Sequence, residues 1–433
     1  MRRTSIPRTL PAVPDPAAPP RSPLASLFLL GGIAQATMTL PVFAAPLVAR
    51  EFGLSDRELA LASGVMSLGA FGTFLLARLA DRHGRRPLLR AGFALLAPLS
   101  LLTALAPGIA LYTAAQLVSC ALRGALGSLV SVAITEVSDD AMRPRNHARL
   151  GVVAAIASGL PLGLAAALGG RPDGWRWLFA ISGASVLLLP WIWRRVPETG
   201  RYERLRDGPA SERARLRELL APVYRRRAVG LVMVGVMRGA AIGAVGFYAF
   251  HHAVANLGLS SALAAGIFGG AGFFGIFGNR AGAWLCERWG RRPTQVAGAL
   301  LTVGSGVAYY WVPAGLGAAT PLLLGLGFFG YVFGVQAFGV ADRLVDTELF
   351  PTRLRGTYAG VRMIGDAAAQ TLGNFGLAAA IGAFGSIALA LAVFVPLLVL
   401  PALALFWWVT TESRGLSLDE AARERPADTG APL

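Results

Sequence analysis

The side chains able to do chemistry in this sequence form two groups, one recurring at fixed spacing and one scattered through apolar runs. The recurring group is Ala77-Arg78-Leu79-Ala80-Asp81-Arg82-His83-Gly84-Arg85-Arg86-Pro87, which returns as Ala283-Trp284-Leu285-Cys286-Glu287-Arg288-Trp289-Gly290-Arg291-Arg292-Pro293, a displacement of 206 positions from Asp81 to Glu287. A second echo sets Glu136 seven residues before Arg143 and Glu348 seven before Arg355. A weaker third sets Pro197-Glu198-Thr199-Gly200-Arg201 against Thr411-Glu412-Ser413-Arg414-Gly415. Acids beside arginines make ion pairs worth about 0–1 kcal/mol where water reaches them. The scattered group is Arg123, Arg238, Asp342 and Asp366. Such groups are costly inside a bilayer and face a cavity or a partner. An arginine fork matches a carboxylate bidentately, and burial can raise a carboxyl toward neutral titration. The chemistry on offer is binding and proton exchange. The sequence shows no nucleophile with a base, no paired catalytic acids and no phosphate loop, so an enzyme is not expected. Cys120 and Cys286 stand far apart and only four histidines occur, so neither a metal site nor a cofactor is expected.

The elements that position these residues follow from composition. The chain has 433 residues, 55% hydrophobic and only 15% charged, with a mean hydropathy of +0.56. A soluble domain carries about 25% charged residues. Apolar runs long enough to cross a bilayer occupy about 24–48, 59–79, 88–106, 109–135, 149–170, 175–194, 228–254, 260–284, 294–313, 316–343, 357–380 and 386–409. Runs of this length without alternation read as helices, because backbone groups in lipid must bond internally. The expected fold class is all-α integral membrane, with twelve transmembrane helices. The net charge of +16 comes from arginine alone, as there is no lysine. With the amino terminus inside, the arginines collect in 82–90, 143–149, 194–227, 288–292 and 353–362, while the outer connections hold only Arg50, Arg57, Arg171 and Arg176. That is the positive-inside pattern. The expectation is a multi-pass protein of the cell (inner or plasma) membrane with both termini cytoplasmic, and no nucleic-acid partner.

Residues 1–22, with four arginines among six prolines, read as a flexible cytoplasmic tail and not a cleaved leader. Two six-helix bundles follow, 23–195 and 228–410, separated by a cytoplasmic loop over 196–227, and 411–433 form a second tail. The repeats make the bundles pseudo-symmetric, an architecture that lets halves rock around a midplane site.

With the duplicated loop in place, the chain resembles the major facilitator superfamily over nearly its whole length. The loop matches that family's Gly-x-x-x-Asp-Arg-x-Gly-Arg-Arg signature at both expected places, with Ala77 and Ala283 replacing its first glycine and Glu287 replacing Asp. Trp175-Arg176-Trp177, Pro197-Glu198-Thr199, Glu348-Leu349-Phe350-Pro351-Thr352 with Arg355, and Glu412 to Glu420 resemble the branch of sugar porters, metabolite:proton symporters and aromatic acid:proton symporters. The resemblance implies that Asp81, Arg85, Arg86, Glu136, Arg143 and Glu198, with Glu287, Arg291, Arg292, Glu348, Arg355 and Glu412, form ion-pair networks gating the inner side. Solvated helix caps are the plainer reading. It also implies that the first, fourth, seventh and tenth helices line a cavity.

On that implication Arg123 and Arg238, with Gln35, Gln116, Tyr248 and Gln336, are the substrate-binding candidates. Asp342 and Asp366 are the proton-coupling candidates, since the first span carries no acid. Arg238 could instead be neutralised by Asp342 or Asp366, and Arg123 could bond a carbonyl or a neighbouring polar group. Counting back from Glu136 puts Gln116, two turns before Arg123, where the family's fourth-helix arginine usually stands. His251 and His252 suit an external gate or a headgroup contact. The function implied is secondary active transport of a small organic solute by alternating access, as proton symport, with an organic or aromatic acid preferred; drug or metabolite efflux and sugar porting are the alternatives. The partners are the substrate, protons and the lipid bilayer, and the chain reads as a monomer.

Overall fold

The computed structural model describes residues 24–138, 142–196 and 212–416, and these are helical almost throughout. Residues 1–23 and 417–433, Glu198 and the side chain of Asp81 lie outside the described residues. The first six spans are α1 (Leu24–Phe52), a second span bent at Leu68 into α2 (Asp56–Ser67) and α3 (Gly69–His83), α4 (Arg85–Ala104), α5 (Ile109–Val137), α6 (Arg143–Leu168), and α7 (Gly174–Gly183) running through a 3-10 turn into α8 (Leu189–Arg195). After the short α9 (Glu212–Leu219) come α10 (Pro222–His251) with a π turn at its end, α11 (Ser261–Arg288), α12 (Arg291–Tyr310), α13 (Ala319–Glu348), α14 (Thr352–Phe384) and α15 (Ile387–Val409). The seventh span therefore begins inside the stretch expected to be loop.

Ten of these spans have both the length and the apolarity to cross a membrane. The ninth and eleventh, α12 and α14, are 20- and 33-residue helices in the bundle that fall short in hydropathy. Arg291, Arg292 and Gln295 on one and Arg362, Asp366 and Asn374 on the other bond protein partners, and Gln370 faces the cavity between the halves.

Local chemistry sets the breaks. Ser55 and Glu58 form a capping box that starts α2: the Glu58 amide donates to Ser55 Oγ, and the Ser55 amide donates to Glu58 Oε2 at 2.9 Å. Both copies of the duplicated loop turn on their glycine, Gly84 at φ +91 and Gly290 at φ +102, a backbone state open to glycine. A Cβ on Gly290 would also lie 2.6 Å from the Glu412 carboxyl carbon.

The halves repeat one packing plan, with the second and third spans of each against the fourth and the first against the fifth. Glycines set the closest approach. A Cβ on Gly278 or Gly282 of α11 would lie 2.5 Å from the Phe333 carbonyl oxygen or 2.4 Å from that of Ala337 on α13. The tight contact thus falls beside Ala283, which is itself exposed. Across the halves, α2 packs extensively on α14 while its continuation α3 barely touches it, and α1 meets α10 and α6 meets α11. Phe43 of α1 packs edge-on against Phe250 of α10 at 5.2 Å and Phe268 of α11 at 6.3 Å. The halves close on the face away from the arginine clusters and part toward the arginine-rich face.

Candidate functional site

A cavity of about 390 Å3 lies at mid-depth between the halves. Pro41, Val42, Ser63, Met66, Ser67, Cys120 and Arg123 form the first half's wall. The opposite wall carries Phe247, Tyr331, Gln370 and Asn374, together with a glycine-rich stretch of α10 that includes Gly239, Gly243 and Gly246. A Cβ on Gly243 would meet nothing within 4 Å, so this helix presents bare backbone to the cavity. Its shape is held from behind: Tyr331 Oη donates to the Ile242 carbonyl at 2.8 Å and Tyr310 Oη to that of Val245 at 2.7 Å.

Arg123 sits near the middle of α5, 8% exposed, with Nη1 donating to Gln116 Oε1 at 3.0 Å. Among the described residues no carboxylate pairs with it. The two positions between which the sequence left the arginine's register open are therefore in direct contact, two turns apart on one helix face.

Arg238 sits near the middle of α10, off the cavity wall. Its Nη2 lies 2.6 Å from Asp342 Oδ1, and its guanidinium stacks over Phe338 at 4.8 Å. Of the two arrangements open for Arg238, the structure places it in the paired one. Asp342 also accepts from Gln295 Nε2 at 3.1 Å and Arg362 Nη2 at 3.2 Å. Arg362 in turn reaches Asp366 Oδ1 at 3.2 Å and Asp346 Oδ2 at 3.5 Å, and Tyr358 Oη donates to Asp346 Oδ1 at 2.8 Å. Two guanidiniums thus face three carboxylates, with Asp366 at the half-exposed margin, its side chain 57% accessible.

The remaining substrate candidates lie off the wall in this structure. Tyr248 is fully buried and donates to Asn374 Oδ1 at 3.0 Å, behind the cavity wall that Asn374 lines, and Asn374 Nδ2 donates to the Gln370 carbonyl. Gln336 lies along the glycine face of α11, and Gln35 is half-buried on α1.

At the arginine-rich face the acids of the Glu136/Arg143 and Glu348/Arg355 echoes pair with the duplicated loop and not with the arginine seven residues on. Arg85 bonds Glu136, and Arg291 bonds Glu348 through two contacts of 2.8 and 3.1 Å, joined by the Ser413 hydroxyl at 2.5 Å. Arg143 Nε donates to the Thr135 carbonyl and Arg355 Nε to that of Phe350. Glu412 caps α12, accepting from the backbone amides of Arg291 at 2.9 Å and Arg292 at 3.0 Å. Arg292 lies over the Trp407 ring, 3.9 Å from its centroid. Arg86 lies in the first turn of α4, and Glu287 is exposed without an ion pair among the described residues. Each of these pairs lies within its own half.

On the opposite face the halves are tied directly. His251 Nε2 is 2.9 Å from Asp56 Oδ1, and Asn256 Nδ2 donates to Asp56 Oδ2 at 3.1 Å. Both His251 and His252 are buried, away from headgroups. Asp56, Asp346, Arg362, Gln370 and Thr103 were not singled out from sequence. Arg362 stands four residues before Asp366 and Asp346 four after Asp342, helical spacings that could have raised them; nothing local links Asp56 to a histidine 195 positions away. Among the described residues no group of three or more His, Cys, Asp or Glu side chains could hold a metal ion.

A family model described as Major Facilitator Superfamily matches residues 27–345. The chain is 26% identical over 368 residues to the "Putative metabolite transport protein YncC" of Bacillus subtilis (strain 168), covering 73% of this chain and 76% of that protein. Among solved structures, the nucleoside transporter NupG superposes with a TM-score of 0.73 at 12% identity, covering 89% of this chain and all of that one. A bacterial homologue of the lysosomal transporter Spinster, in an inward-facing conformation, gives 0.71 at 15%, covering 94% and 98%. A D-xylose–proton symporter gives 0.68 at 18%, covering 92% and 98%. At these identities the structural likeness is one of fold.

Proposed function

The chain belongs to the major facilitator superfamily, and on that premise we propose that it carries a small organic monoanion across the membrane by alternating access, in symport with a proton. It is a multi-pass membrane transporter of the metabolite or sugar kind and not an enzyme. One observation carries the anion reading: Arg123 is buried on the cavity wall, and among the described residues its hydrogen-bond partner is a neutral amide. A guanidinium withdrawn from water without a counter-charge is unfavourable, and a bound carboxylate supplies both the charge and a bidentate bond. A single such cation favours a single negative charge. Met66, Val42, Ile242 and Phe247 suit an apolar body, and the volume of about 390 Å3 suits a small one.

Proton coupling is assigned to the cluster around Asp342 and Asp366. With three carboxylates to two guanidiniums, the cluster holds one surplus negative charge that a proton can neutralise. The acids and arginines of the arginine-rich ends are assigned to the inner gate, that face and both termini to the cytoplasm of a cell-membrane monomer. A neutral polyol is the second reading, favoured by the hydroxyls of Ser63 and Ser67 and the amide of Gln370 on the wall.

Uptake into proteoliposomes by a panel of monocarboxylates, sugars and cationic drugs, with and without an acid-outside gradient, tests this. The expected result is monocarboxylate accumulation driven by the gradient and reduced about a hundredfold by Arg123→Ala, the loss of a charge-assisted bidentate contact. Sugar uptake indifferent to Arg123→Ala would instead establish the polyol reading.

A further inference from the structure

We infer that Gln116 is a specificity-determining residue and Thr103 the residue that positions it: together they keep Arg123 charged, oriented and unneutralised for a monoanion. The inference rests on the proposed anion site. Its basis is a three-member hydrogen-bond chain with one consistent direction. Thr103 Oγ1 donates to the Leu99 carbonyl at 2.8 Å, one turn back in α4. Gln116 Nε2 lies 3.0 Å from Thr103 Oγ1, and Arg123 Nη1 lies 3.0 Å from Gln116 Oε1.

A hydroxyl has one proton, and Thr103 spends it on Leu99, so toward Gln116 it can only accept. The amide must then present its nitrogen to Thr103 and its oxygen to Arg123. Reversed, the amide would set its N–H groups against the guanidinium's and its oxygen against a hydroxyl with no proton left to give. Gln116 is 1% exposed and Thr103 is fully buried, so both bonds are shielded from bulk solvent. Both lie behind the cavity wall, while Arg123 lies on it. The chain therefore consumes one N–H of the guanidinium, fixes its plane, and leaves its charge uncompensated.

An acid in place of Gln116 would have the same reach and would satisfy Arg123 internally, as Asp342 satisfies Arg238. The amide at this position is what separates an anion site from a structural ion pair.

Three variants test this on the full-length protein. Binding is read as the shift in melting temperature produced by benzoate against uncharged benzamide. A ligand-independent readout is the rate at which phenylglyoxal modifies Arg123, followed by peptide mass. Gln116→Glu is expected to weaken benzoate binding about a hundredfold, leave benzamide unchanged and slow modification of Arg123. Thr103→Val, which frees the amide to turn, should weaken benzoate about fivefold, and Thr103→Ser should restore it. Unchanged Arg123 modification in Gln116→Glu, or equal behaviour of Thr103→Val and Thr103→Ser, would overturn the inference; the second comparison stands if Gln116→Glu does not fold. Benzoate binding that survives Arg123→Ala would instead overturn the anion site on which it rests.

Discussion

The two bundles treat a mid-depth arginine in opposite ways. Arg123 of the first leans on an amide and faces the cavity, whereas Arg238 of the second is turned away from it and bound to Asp342. Both are buried, and both sit near the middle of a long helix. Burial therefore does not distinguish a binding cation from a structural one. The partner does: a carboxylate cancels the charge, while an amide orients it and leaves it for a ligand.

The comparison breaks most sharply at Arg238. Arg238→Met is expected to cost about 3 kcal/mol, because Asp342 is left with less compensation in a desolvated cluster, and adding Asp342→Asn should recover most of the loss. Arg123→Met should leave the melting temperature of the ligand-free protein unchanged or higher, since no buried acid is orphaned. Thermal unfolding of the purified variants in one detergent checks both, and equal losses at the two arginines would erase the distinction.

At the arginine-rich ends the bundles behave alike, each pairing the duplicated loop with the acid that closes its fourth span. Glu348→Gln should cost about 2 kcal/mol in the same assay, because the bidentate pair with Arg291 and the bond from Ser413 weaken together. A loss confined to opening between the halves, with no change in melting, would make this a bond between bundles.

The smallest effect is expected where the bundles meet. Asp56 is partly exposed, and its bonds to His251 and Asn256 hold the far face shut. Asp56→Asn should shift the balance toward opening on that face about fivefold, the worth of a semi-exposed pair. Spin-label distances between the outer ends of α2 and α10 read the shift; an unchanged distribution would leave the apolar contacts of Phe43 with Phe250 and Phe268 as the whole seal.

Much of the fold was legible because it rests on local properties. Apolar length marks a span, and it marked α12 and α14 even though their polar residues dilute the signal. The glycine in each copy of the duplicated loop marks a turn that its positive φ requires. Arg123 and Arg238 stood out because charge inside an apolar run is rare. Their different fates were not legible, since Asp342 is 104 positions from Arg238 and Arg362 a further 20 beyond. Tyr248 looked like a cavity residue by helix membership, yet its rotation about α10 sends it to Asn374.

Composition, run length and arginine placement determined by themselves that this chain is a helical membrane protein built twice over, because hydrophobic burial and loop charge depend on each residue's own chemistry. Which arginine keeps its charge free was decided only by tertiary structure. A helix carries its side chains around a full circle, and only the packing of neighbouring helices selects which carboxylate, amide or empty space each one meets.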